Sequence, residues 1–144
     1  MTPTLAGRIQ TRLVMLATVG LAWLFIVGPF LPLAGPAMGV YSAGLAALLL
    51  TAVVGIAWEL LYHALQQFRW DKDWPTVFGL ILGLSEGFVV YQLLSRDIPW
   101  ALTGLAPWPF VWQFGTIWVL IWVVVNGPLR VVFPRWRFAG GQFW

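Results

Sequence analysis

Four apolar segments dominate this chain: residues 13–31, about 38–66, 75–94 and 108–126. Each approaches the ~20 residues that an α-helix needs to cross a bilayer. Lipid offers no hydrogen bonds to a backbone, so a spanning segment is either a helix or a strand of a closed barrel. Barrel strands run to ~10 residues and alternate in polarity. These segments are longer and do not alternate, which predicts an all-α, four-helix transmembrane bundle in a single domain, 1–144.

Composition points the same way. Charged residues make up 9% of the 144 residues and hydrophobic ones 60%, whereas a soluble domain carries roughly 25% charged residues. There is no cysteine, which excludes disulfides, thiolate metal sites and a cysteine nucleophile. No phosphate-binding loop, nucleophile elbow, H-E-x-x-H or paired C-x-x-C occurs. The expectation is a protein that is not an enzyme, with no catalytic residue and no cofactor.

The N-terminus has the outline of a signal peptide, with Arg8 and Arg12 before an apolar run and then LAGPA. The apolar run exceeds the ~7–15 residues of a signal h-region, so it reads as an uncleaved first helix. Alternate assignment of loops puts Arg8, Arg12, Arg69, Lys72, Arg130, Arg135 and Arg137 on one side and Arg96 alone on the other. The positive-inside rule makes the first side cytoplasmic, with both termini inside. The bias toward Arg, Ala and Gly fits a high-GC bacterial genome, and hence the bacterial cytoplasmic membrane.

The second segment places Gly55, Glu59, His63 and Gln67 four residues apart, and the third does the same with Gly79, Gly83 and Gly87 beside Glu86. Residues i and i+4 neighbour each other on a helix, and small residues let helices in lipid approach closely. Folded as an antiparallel hairpin about Asp71, the second and third helices place Glu59 opposite Gly83 and His63 opposite Gly79. Glu86 then falls near the bilayer midplane, within a turn of Glu59.

An acid at mid-membrane costs about 2.5–3.5 kcal/mol on insertion scales, so the set of Glu59, His63, Glu86 and Gln67 needs a reason. The first reading is structural, with Glu59 bonding His63, Gln67 or a partner chain. A second is a proton or cation path through Glu59, His63 and Glu86. A third makes those three metal ligands, a thin set for Zn. Trp112, Trp118 and Trp122 read as lipid-facing or inter-subunit packing rather than as a pigment or quinone surface. The tail PRWRFAGGQFW, with Arg130 just before it and Arg135, Trp136 and Arg137 within it, suits anionic lipid headgroups or a cytoplasmic partner. Nucleic acid is not expected.

With almost no mass outside the bilayer, the leading expectation is a membrane subunit or scaffold of a larger complex, oligomeric with its own or other chains. The alternative is a small proton or cation transporter or channel.

Overall fold

A computed structural model describes residues 4–31, 37–68, 76–96 and 106–144. Helix α1 spans Leu5–Phe30, α2 Ala37–Gln67, α3 Thr76–Ser95 and α4 Pro107–Asn126. Two short helices, α5 (Pro128–Val132) and α6 (Pro134–Phe138), follow in the tail. Among the described residues there is no strand, and four helices are long and apolar enough to cross a membrane. The chain is thus all-helical, with the makings of a multi-pass membrane protein. Residues 32–36, 69–75 and 97–105, among them Arg69, Asp71, Lys72 and Pro75, lie outside the described residues.

Three spans match their sequence bounds to within about a residue, and α1 does not. It begins two turns earlier than expected, at Leu5. Thr4 caps it, its Oγ1 accepting from Gly7 N–H at 3.1 Å, which satisfies one of the orphan donors of a helix start. Arg8 and Arg12 therefore sit inside the helix rather than in front of it. They open an inward-facing stripe with Leu16, Gly20 and Leu24, four residues apart throughout. A strict four-residue spacing outruns the 3.6-residue turn. The wider π-turn at Leu16–Gly20 takes up part of that difference.

The helices pack in the ring order α1, α2, α3, α4, with α4 closing onto α1. Leu16, Leu24, Leu48 and Ile117 form one buried cluster. Ala47, Val90, Leu94 and Phe110 form another. Trp58 Nε1 of α2 donates to Ser85 Oγ of α3 at 3.3 Å, close to the level that the expected hairpin register gives.

The glycines serve a different interface from the one expected. A Cβ on Gly83 would strike the Trp118 ring and one on Gly87 would strike Phe114, both on α4, while beside Gly79 there is open space. Phe110, Phe114 and Trp118 stack along α4 with centroids 5.4 and 5.9 Å apart. This ladder of rings lies in the α3 groove that Gly83 and Gly87 open. Trp118 Nε1 and Trp122 Nε1 donate to the α3 carbonyls of Leu80 and Thr76, at 3.3 and 3.0 Å. Trp112 stays about half exposed, at 51%.

Candidate functional site: a charged cavity at one end of the bundle

The start of α1 meets the tail. Thr4 N–H donates to Gly140 O at 2.9 Å, Thr11 Oγ1 to Gly141 O at 2.9 Å, and Phe143 N–H to Gln10 Oε1 at 3.1 Å. Gly140 and Gly141 turn with φ of 65° and 88°, values that side chains rarely tolerate. Gly7 lies against that turn so closely that a Cβ would enter the Gly140 carbonyl. Trp136 is buried here, with Nε1 donating to Thr11 Oγ1 at 2.8 Å. A headgroup-facing role was expected for Trp136, but it packs with Met15 and Leu129 in a third buried cluster. Arg135 and Arg137 are exposed, and Arg130 Nη2 donates to Asn126 Oδ1 at 2.9 Å.

Beneath this clasp lies a cavity of about 820 Å³. Its floor is a chain of four charges from three helices. Arg8 Nε lies 3.2 Å from Glu59 Oε2, Arg12 Nη2 lies 3.0 Å from Glu59 Oε1, and Arg12 Nη1 pairs with Glu86 Oε1. Arg8 Nη1 also donates to Gln66 Oε1 at 3.0 Å. The Arg12 guanidinium lies 5.4 Å from the Trp118 ring centroid, a favourable cation–π distance.

Local geometry explains why these residues meet. Arg12 crosses α2 at Gly55, where a Cβ would collide with its guanidinium. Gly55 is thus the notch through which α1 reaches α3. Glu86 is 1% exposed, and the Glu59 side chain is 12% exposed. Glu86 stands ten residues into α3, about 15 Å along it at 1.5 Å per residue. A carboxylate at that depth is tolerable only with a cation against it, and Arg12 supplies it.

The structure therefore joins Glu59 and Glu86 in one site but leaves out His63 and Gln67, both exposed. Four-residue spacing drifts around a 3.6-residue helix, so the inward face continues through Tyr62 and Gln66, which line the cavity. The hydrogen bond expected between Glu59 and His63 or Gln67 is replaced by two arginines. The set Glu59, His63 and Glu86 does not converge, and among the described residues no group of three potential metal ligands does.

Arg8 and Arg12 are the site residues that sequence reasoning missed, having been assigned to topology alone. Their four-residue spacing, behind a Thr that can cap a helix, was the available signal. Comparison of the chain with known protein families, characterised proteins and solved structures finds no significant match.

Proposed function

We propose that this is a non-enzymatic, multi-pass protein of a bacterial cytoplasmic membrane, with both termini cytoplasmic, whose cavity takes up an organic anion. The observation that carries this is the charge layout of the cavity. Arg8, Arg12, Glu59 and Glu86 cancel among themselves, while Arg130 and Arg137, both exposed, add two positive charges to the lining. A cation would meet that excess positive charge and gain no free carboxylate, since both are already paired. This favours an anion over the proton or cation path as the cargo of this cavity. The size agrees, because ligand pockets span roughly 300–1,000 Å³.

The test is thermal unfolding in neutral detergent with added amphiphiles of matched chain length. A ligand that binds only the folded state at 100 times its Kd adds about 2.7 kcal/mol. Anionic amphiphiles are expected to raise Tm and cationic ones to leave it unchanged; equal stabilisation by both would count against the reading.

The second reading is a subunit or scaffold of a larger membrane complex. One observation favours it: beyond the four spans, the described chain adds only a short tail. Glu59, Glu86, Gly55, Gly83 and Gly87 no longer require a partner helix, since each finds its partner within the chain. Native mass spectrometry after gentle solubilisation tests it; a monodisperse monomer would weigh against a complex.

A further inference from the structure

Resting on the anion reading, we infer that the tail, residues 128–144, is a strap that gates the cavity and carries its excess positive charge. The tail forms part of the cavity wall, through Trp136, Arg137, Phe138, Gly140 and Gly141. The charges that the four spans bring to the lining, Arg8, Arg12, Glu59 and Glu86, cancel. Arg130 and Arg137, which make the lining positive, both ride on the tail. Moving the tail therefore changes the width of the cavity and its charge together.

At the root of the tail, Gly127 turns with φ −114° and ψ −98°, and Pro128 and Pro134 open its two short helices. A proline brings no N–H, so α4, α5 and α6 are not one continuous helix. At the far end, residues 139–144 lie beyond every candidate span. Their bonds to the start of α1 are polar: Thr4 N–H donates to Gly140 O, Phe143 N–H to Gln10 Oε1, and Gln142 Nε2 to Thr4 Oγ1 at 3.3 Å. Water replaces such bonds at small net cost, whereas a span in lipid has no such substitute. Trp136, buried and bonded to Thr11 Oγ1, is the inner anchor. The outer end is thus the part that lets go first.

A single thiol on the cavity wall, Leu82→Cys in a chain without native cysteine, reads the gate. Two further substitutions loosen the strap from opposite sides. Gly7→Ala puts a methyl where the Gly140 carbonyl lies, and alanine is the better helix former, so α1 itself is not weakened. Gly140→Ala forces a side chain onto φ 65°, with its Cβ 2.9 Å from Thr4 Cγ2. Overpacking and a left-handed alanine each cost enough to shift the closed–open balance about tenfold. In detergent, each variant is expected to speed modification of Leu82→Cys by an uncharged thiol reagent by about that factor. Each is also expected to weaken the preference of this thiol for a sulfonate-bearing over a trimethylammonium-bearing reagent. Leu48→Cys, in the tightly packed region, is expected to stay unmodified in both variants. Rate and preference unchanged in both variants would overturn the strap and leave the anion reading standing. Reaction of Leu48→Cys would also overturn the strap, since the whole bundle would then have loosened. A parent thiol indifferent to reagent charge would overturn the anion reading, with the rate still deciding the gate. A Leu82→Cys thiol unreactive throughout would overturn both.

Discussion

The two ends of this bundle are packed by opposite rules. Away from the clasp, Leu24 and Val90 are fully buried and Leu94 is 2% exposed, and a Cβ on Gly44 would strike Leu24 and Gln113. A void deep in the bundle, lined by Leu48, Ala47 and Ile117, holds about 10 Å³, barely the room of one water. At the clasped end the same four helices stand around 820 Å³ and four paired charges. Close packing is the default of protein interiors, so a chain able to pack one end tightly leaves the other open for a reason. The charges mark where that reason lies.

The largest effect is expected at the ion chain. Arg12→Met strands Glu86 in the apolar interior and is expected to cost about 3–5 kcal/mol, read as a fall in unfolding free energy in detergent. Adding Glu86→Leu is expected to recover most of it, since Glu59 keeps Arg8 and no bare charge is left. A double variant no more stable than the single one would mean that Glu86 is not held by Arg12.

Next comes a pair of identical changes four residues apart on α3. Gly83→Ala drives a methyl into Trp118, whose Nε1 is bonded to Leu80 O, and overpacking of this kind costs about 1–3 kcal/mol. Gly79→Ala meets open space and is expected to stabilise by up to about 1 kcal/mol, the helix-propensity difference. Thermal unfolding of both variants decides; the same sign at both sites would refute the α3–α4 groove.

An effect of similar size is expected in the clasp. Thr11→Val removes the acceptor of Trp136 Nε1 and the donor to Gly141 O, at a cost of about 1–3 kcal/mol for the stranded donor. It is also expected to speed hydrogen exchange at the Gly141 and Phe143 amides. Smallest is His63→Ala, expected within about 0.5 kcal/mol of the parent because the side chain is exposed; a larger loss would return His63 to the site.

The spans were legible because a bilayer admits few ways to hide a backbone, and length with hydropathy reads out directly. Glu59 and Glu86 were legible as costly residues whose cost needed an explanation. Their partners were harder to see. Arg8 and Arg12 look like the flanking charges of any first span, and only the cap at Thr4 reveals that they lie inside the helix. The stripe on α2 misled for a geometric reason: it coils away from the interface, so His63 and Gln67 leave the face that Gly55 and Glu59 begin, while on α3 Gly79 falls beside the cavity instead of a helix. Trp136 was misread because basic neighbours make a tail look solvated, while its buried contact with Thr11 lies 125 residues away in sequence.

The absence of cysteine makes the decisive measurement a clean one. Leu82→Cys places a thiol on the cavity wall and Leu48→Cys places one in the tightly packed region. Each is exposed in turn to a sulfonate-bearing and a trimethylammonium-bearing thiol reagent of similar size. The cavity described here requires that Leu82→Cys reacts, faster with the anionic reagent, and that Leu48→Cys stays unmodified by either. An unreactive Leu82→Cys, or one that prefers the cationic reagent, would contradict an anion-selective opening at this end of the bundle.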